Sequence, residues 1–181
     1  MKSRVFLPLL IVCAAISALA LGTRVHAAAA SSISQLRGTF TIQFPQGHPA
    51  SNAPCPDNEF CGVGSLAGFG PATITILEET FSELAGSSCF AVTRVEQIDL
   101  LDGSGSLVIE SNGTFCRPGG SGDSHASPSS YGGPGRWDLA VTVDGEQSGG
   151  IFAGASGGGT ETMSANGGIG VWHLTGTISR A

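Results

Sequence analysis

The sequence predicts an all-β protein, a single antiparallel β-barrel of about eight short strands. Apolar and polar residues alternate with a period of two in several segments, glycine-rich turns separate these segments, and no segment has a clear 3.6-residue period. Short strands without intervening helices form an antiparallel barrel or a sandwich. A β-sandwich is therefore the alternative, although the Cys, Trp, Cys order of immunoglobulin domains is absent, because both tryptophans follow every cysteine.

The first 30 residues are typical of a secretory signal peptide. A basic start with Lys2 and Arg4 precedes an apolar run from Val5 to Leu21, and small residues near Ala27 suit cleavage. We therefore predict a secreted, mature chain of residues 31–181 that forms a single domain. The apolar run is shorter than the roughly 20 residues of a spanning helix, so no membrane attachment is expected after cleavage.

The mature chain is strongly acidic. It carries five arginines, no lysine and 14 acidic residues, which gives a net charge of −9. This charge argues against a nucleic-acid partner or an anionic membrane, because both attract basic residues. The absence of lysine also excludes Schiff-base chemistry and lysine-dependent phosphate loops, and no cofactor is expected.

Four cysteines remain after cleavage. An even number in an exported chain predicts two disulfides, for which three connectivities are open. We favour pairing Cys55 with Cys61, which bracket a turn-rich segment, and Cys89 with Cys116, which would join neighbouring strands. No metal site is expected, because the five-residue gap between the first two cysteines is wider than usual zinc-ligand spacing.

The first predicted strand is Leu36–Phe44, where apolar and polar residues alternate over nine positions. A loop rich in Pro, Asn, Gln and Gly follows at 45–58. A short strand is expected at Phe60–Leu66, and a β-branched one at Ala72–Leu77. The segment Glu78–Leu84 is expected to continue that strand or to form one helical turn, since it is too short for an independent helix.

Apolar residues on both faces of Cys89–Leu100 predict a strand that is covered on both sides. A turn at Asp102–Gly105 and a strand at Ser106–Glu110 would complete a hairpin. Asn112-Gly113-Thr114 fits both a tight turn and an N-glycosylation acceptor, and the turn is preferred. The segment Pro118–Gly135 is rich in Ser, Gly and Pro, which predicts a flexible, exposed loop.

Alternation resumes at Trp137–Val143 and is expected to end in a turn at Asp144-Gly145. Two further strands are predicted at Thr160–Ser164 and Ile169–Ser179, joined by a hairpin turn at Asn166-Gly167-Gly168. The last strand has two distinct faces. One face carries Val171, His173, Thr175 and Thr177, and the other carries Trp172, Leu174, Gly176 and Ile178.

Between these strands lies the segment Ser148–Thr160, which reads Ser-Gly-Gly-Ile-Phe-Ala-Gly-Ala-Ser-Gly-Gly-Gly-Thr. Its glycine clusters suit strands that bend sharply or approach closely, which favours a barrel over a sandwich. The segment resembles the signature of the allene oxide cyclase and dirigent group of small antiparallel barrels. This resemblance implies an apolar substrate cavity, an isomerase or cyclase reaction that relies on shape and a few polar groups, and a trimeric homo-oligomer.

His173 and Glu161 are the candidate catalytic residues, because both lie on strands near this segment. Strand register decides whether each side chain faces the interior. An inward His173 within hydrogen-bonding reach of Glu161 or Asp138 would form a credible acid–base site. For His173, an outward, hydrogen-bonded side chain on the polar face is the preferred interpretation. The run Gly154–Gly158 matches a nucleophile elbow, but it is rejected because no helix is expected to follow it.

Several interior residues are candidates for lining a ligand cavity, namely Phe40, Ile42, Phe44, Trp137 and Trp172. Small barrels are also filled by their own side chains, so for the two tryptophans a role in the core is preferred over a role as a substrate platform. Arg94 and Glu96 share a strand face and are expected to form a solvated, exposed pair. Three functions are open: binding of a small apolar ligand, cyclase-type catalysis, and a non-catalytic extracellular role. A non-enzymatic role is favoured.

Overall fold

A computed structural model describes residues 32–43, 61–117, 134–166 and 169–180. The predicted barrel is confirmed, because the strands in these ranges form one closed, antiparallel barrel in which each pairs with its neighbours in sequence and the last pairs with the first. The eight strands are β1 Ser32–Gln43, β2 Cys61–Leu66, β3 Gly70–Glu83, β4 Cys89–Leu100, β5 Gly105–Cys116, β6 Gly135–Gly150, β7 Ser156–Asn166 and β8 Ile169–Arg180.

Some predicted features fall outside these ranges. They are the signal peptide, the loop at 45–58, most of the loop at 118–135, and the side chains of Phe44 and Cys55. The described part of the chain contains no helix that is long and apolar enough to cross a membrane.

Period-two alternation decides which side chains fill the barrel. On β8, Trp172 and Leu174 are buried, whereas the alternating residues Val171 and His173 are exposed. The same pattern buries Phe40 on β1, directly opposite Trp172 in the register. Because the burial of apolar area drives folding, the face with the larger apolar side chains turns inward on each strand.

A β-bulge in β3 changes which face of that strand points inward. The register with β4 shifts between Ile76 and Glu78, which leaves Leu77 unpaired and half exposed. A bulge inserts one residue and so reverses the alternation beyond it. Glu79 therefore points into the barrel next to Arg94, its direct partner on β4. The segment after Leu77 continues as strand, which was one of the two sequence interpretations.

Two turns predicted from sequence are wrong, because strands run through them. Asn112-Gly113-Thr114 lies within β5, paired on both sides with β4 and β6. Asp144-Gly145 lies within β6, where the pairing with β5 is irregular. Ser148 compensates for the missing ladder bond, since its hydroxyl accepts from the Val108 N–H at 2.9 Å and donates to the Asp144 carbonyl at 2.6 Å.

The glycine-rich segment forms the connection between β6 and β7. Its turn spans Ile151–Gly154, with Gly154 at a φ of 69°, a conformation that favours glycine. Phe152 points back under this turn and is fully buried. Further along, Gly159 pairs with Gly176, and a Cβ on Gly159 would lie 2.1 Å from the Thr175 carbonyl oxygen. The glycines therefore permit close approach of β7 and β8, as the sequence suggested.

Aromatic side chains close both ends of the described core. At one end Phe115 packs on Trp137 with ring centroids 4.2 Å apart, and Phe90 stacks nearby on Phe115. At the other end Phe69 lies against Phe152, with centroids 5.0 Å apart. The middle layer between these groups contains the charged residues described below.

The Cys89–Cys116 disulfide is confirmed and joins directly opposed residues of β4 and β5. Cys61 is also disulfide-bonded, while Cys55 lies outside the described residues.

A disulfide that closes 27 residues, such as Cys89–Cys116, is worth about 3–4 kcal/mol through the entropy of the unfolded chain. We expect Cys89→Ala/Cys116→Ala to lose about this much free energy of unfolding in urea titration. A loss below about 1 kcal/mol would contradict this role.

Candidate functional site

Four ionisable side chains meet inside the barrel, where they are almost completely buried. They are Arg94 and Glu96 on β4, Glu79 on β3 and Glu161 on β7, with side-chain exposures of 1%, 0%, 7% and 0%. The prediction of a solvated Arg94–Glu96 pair is therefore wrong. The face these two residues share also carries Phe90, Val92, Ile98 and Leu100, and this apolar majority turns the face inward.

Arg94 is held by two of the three carboxylates. Its Nε donates to Glu79 Oε1 at 2.9 Å and its Nη2 donates to the same oxygen. Its Nη1 donates to Glu96 Oε1 at 3.1 Å, while Ser111 Oγ donates to Glu96 Oε2 at 3.3 Å. The Trp137 ring lies 5.9 Å from the guanidinium carbon, a cation–π distance.

Electrostatics keep the guanidinium charged despite its burial. Burial by itself lowers the pKa of Arg94, but Glu96 and Glu79 outweigh that effect and raise the pKa above its ordinary value. Burial raises the pKa of Glu79, and the nearby Arg94 opposes this shift. The cluster therefore contains one permanent positive charge against three carboxyl groups, which is an excess of acid in a low-dielectric interior.

Glu161 is the carboxyl group of the cluster that is not hydrogen-bonded to the guanidinium of Arg94. Its Oε1 lies 3.6 Å from Arg94 Nη1, and neither of its oxygens accepts a hydrogen bond of ordinary geometry from a donor of the described residues. Burial, followed by repulsion from Glu96 and a side-chain hydrogen bond with the same residue, raises the pKa of Glu161 to about 10, and Arg94 and the Trp172 indole only partly oppose this. The Trp172 indole acts on the carboxyl without reaching hydrogen-bonding geometry, since Trp172 Nε1 also has no such partner among the described residues. Glu161 is therefore a neutral carboxylic acid at pH 7.

The structure separates the two candidate catalytic residues. His173 is exposed on the outer face of β8, where its Nδ1 lies 3.3 Å from Thr39 Oγ1. Glu161 lies on the inner face of β7, so the barrel wall stands between the two side chains. Asp138 is also on the outer face, where it pairs with Arg136 at 2.7 Å. His173 therefore cannot share a site with Glu161.

Four of the five candidate cavity-lining residues are buried together. Phe40 and Trp172 pack edge to face with ring centroids 5.1 Å apart, and Ile42 and Trp137 lie in the same core. Glu161 pairs with Leu139 and Leu174, so the inward residues at the next positions on the flanking strands are Trp137 and Trp172. The tryptophans thus flank the buried acid on both sides.

A depression of about 200 Å³ lies against the part of the wall that carries the cluster. Outward residues of β3, β4 and β5 line it, including Glu78, Thr93 and Asn112. Arg94 and Ser111 of the interior contribute to the same lining. The charged cluster is therefore close to the outer surface at this point of the barrel.

Comparison with known proteins adds no relative. No protein-family model matches the chain, and no curated protein or solved structure matches it significantly. Within the described ranges, no group of three or more His, Cys, Asp or Glu side chains is arranged to hold a metal ion.

The cluster combines a neutral acid, an indole N–H and aromatic walls. A protonated carboxyl in apolar surroundings donates a strong hydrogen bond, because water does not compete for it. The arrangement suits recognition or polarisation of a polar atom on an otherwise apolar molecule.

Sequence reasoning selected Glu161 but missed Arg94, Glu96 and Glu79. The sequence did contain a signal that Arg94 and Glu96 are buried, because both lie at the same alternating positions of β4 as the apolar Phe90 and Val92.

Proposed function

We propose that the protein is a secreted binding protein whose barrel interior takes a small, mostly apolar molecule, with Glu161 as its polar anchor. The observation that carries this proposal is the buried Glu161 carboxyl, whose two oxygens accept no hydrogen bond of ordinary geometry from a donor of the described residues. Buried polar groups are normally satisfied by hydrogen bonds, and an exception calls for an explanation. A ligand atom that completes the hydrogen bonding supplies one.

The surroundings of Glu161 support an apolar ligand. The neighbouring inward residues include Trp172, Leu174, Leu139 and Met163, all buried. Small-molecule sites typically combine such apolar walls with a few placed polar groups. The Cys89–Cys116 disulfide is consistent with an oxidising environment, and together with the predicted signal peptide it supports export.

The two tryptophans, which are the only ones in the sequence, provide a direct test. Both lie in the interior, so a bound fluorophore would receive energy from them. We expect the neutral probe N-phenylnaphthylamine to quench tryptophan emission saturably at one probe per chain. His173→Ala, on the outer face, is the matched control and should leave the titration unchanged. A purely linear, non-saturable response would contradict interior binding.

Catalysis of the allene oxide cyclase type is the second candidate. The resemblance around Gly149–Gly159 supports it, as does a neutral acid in an apolar interior, which can stabilise charge that develops on a substrate oxygen. Glu161 would then be the catalytic residue, without His173. Conversion of a bound substrate that is lost in Glu161→Gln, while probe binding persists, would distinguish an enzyme from a binding protein.

A further inference from the structure

The buried cluster offers hydrogen-bond donors but no uncommitted positive charge. Arg94 is the one buried cation of the described residues, and its Nε, Nη1 and Nη2 are directed to Glu79 and Glu96. Glu96 in turn accepts from Ser111. The guanidinium is therefore engaged within the cluster before any ligand arrives.

Two donors near Glu161 are not directed to the guanidinium network. Trp172 Nε1 is buried without a hydrogen-bond partner of ordinary geometry among the described residues, and an indole nitrogen can only donate. Glu161, when protonated, presents an O–H beside it, and without a ligand this O–H interacts with the Glu96 carboxyl. Trp172 and Glu161 occupy adjacent inward positions of β8 and β7, since Glu161 pairs with Leu174 and Met163 pairs with Trp172. Both donors therefore belong to one small region of the interior.

We infer that the ligand is a neutral molecule with a carbonyl oxygen, which accepts hydrogen bonds from Glu161 and Trp172. This inference rests on the proposed interior binding site. A carbonyl oxygen has two lone pairs and can accept from both donors at once. Aldehydes, ketones and esters share this chemistry. The apolar residues around the two donors would contact the remainder of the molecule.

Charged ligands fit the same cluster poorly. A carboxylate would enter an interior with three carboxyl groups and an already paired guanidinium, so it would gain no uncommitted cation among the described residues. An ammonium would require Glu161 to ionise, which its raised pKa opposes. The neutral carbonyl is the anchor that satisfies the donors without adding charge.

Displacement of N-phenylnaphthylamine by four competitors of similar size tests this inference. They are naphthyl methyl ketone, its isopropenyl hydrocarbon isostere, naphthoate and naphthylmethylammonium. We expect the ketone to bind about tenfold more tightly than the isopropenyl compound at pH 7, because the two have similar shape and differ by the acceptor oxygen. Naphthoate and the ammonium should bind at least tenfold more weakly than the ketone.

Variants assign the preference to its donors. Trp172→Phe keeps an aromatic ring but removes the N–H, so the ketone preference should fall about fivefold while the hydrocarbon affinity stays the same. Glu161→Gln retains an N–H donor and should keep most of the preference, whereas Glu161→Met should abolish it. His173→Ala should match the wild type. Circular dichroism and the affinity for the isopropenyl compound establish that each variant is folded.

The possible results separate the inference from the function on which it rests. Equal binding of ketone and hydrocarbon, or stronger binding of naphthoate or the ammonium, would overturn the inference and leave interior binding intact. A ketone preference that survives Glu161→Met and Trp172→Phe would overturn the assignment of the donors. Absence of saturable probe binding in the wild type would overturn the proposed function and the inference together.

Discussion

Replacing Arg94 with methionine is expected to lower the free energy of unfolding by about 3–5 kcal/mol at pH 7. The substitution keeps a long side chain but removes the charge that faces Glu79, Glu96 and Glu161. Breaking a buried ion pair on one side is costly because the remaining charges lose their partner inside a medium of low dielectric. Urea unfolding monitored by tryptophan fluorescence measures the loss.

The pH dependence of the loss identifies its cause. Without Arg94 the buried carboxyls become neutral by taking up protons, so Arg94→Met should recover stability as the pH falls from 7 to 5. Adding Glu79→Gln to Arg94→Met should restore part of the stability at pH 7, because one uncompensated carboxylate is removed. Arg136→Met, which breaks an exposed ion pair, is the control and should change stability little. A small effect of Arg94→Met that does not depend on pH would contradict the buried cluster.

The second large effect is expected from Glu161→Gln, which should be more stable than the wild type at neutral and alkaline pH. Glu161 is protonated in the folded state up to about pH 10, whereas an unfolded glutamate ionises near its ordinary value of 4.5. The folded state thus binds one more proton than the unfolded state between these values. Its contribution to stability is fully present below pH 4.5 and is lost progressively as the pH rises toward 10.

The glutamine variant does not titrate and escapes this loss. Its advantage over the wild type should grow by about 1.4 kcal/mol per pH unit above pH 5, and should vanish near pH 4. The groups that face Glu161 are Arg94 and Glu96, with Glu79 beyond the guanidinium, and all three are present in both proteins. Glu110→Gln, which removes a carboxylate from the exposed face of β5, is the matched control. A constant difference between pH 5 and 8 would mean that Glu161 ionises normally.

The barrel was predictable because the burial of apolar side chains acts on every strand in the same way. The alternation in β1 and β8 identified Phe40 and Trp172 as interior residues, and the glycines between β6 and β7 indicated a bent connection. The Cys89–Cys116 pair was favoured from the sequence because it would join neighbouring strands, and the structure contains it. Each of these signals is local, so the sequence alone contains it.

The site was less predictable because its members depend on pairing between distant strands. The bulge at Leu77 turns Glu79 inward, and no residue near Leu77 predicts a bulge from the sequence. Arg94 and Glu96 were judged by the usual behaviour of charged pairs, although their phase with Phe90 and Val92 indicated burial. His173 was selected by residue type, but the larger side chains of Trp172 and Leu174 determine which face of β8 turns inward.

Titration of the Glu161 carboxyl carbon by NMR tests the central claim most directly, with isotope-labelled glutamate and Glu161→Gln to assign the resonance. A neutral acid inside the barrel predicts a chemical shift typical of a protonated carboxyl at pH 7, which changes only as the pH approaches about 10. A resonance that titrates near the ordinary glutamate value of about 4.3 would show that Glu161 is ionised at pH 7. That result would contradict the neutral donor on which the proposed site depends.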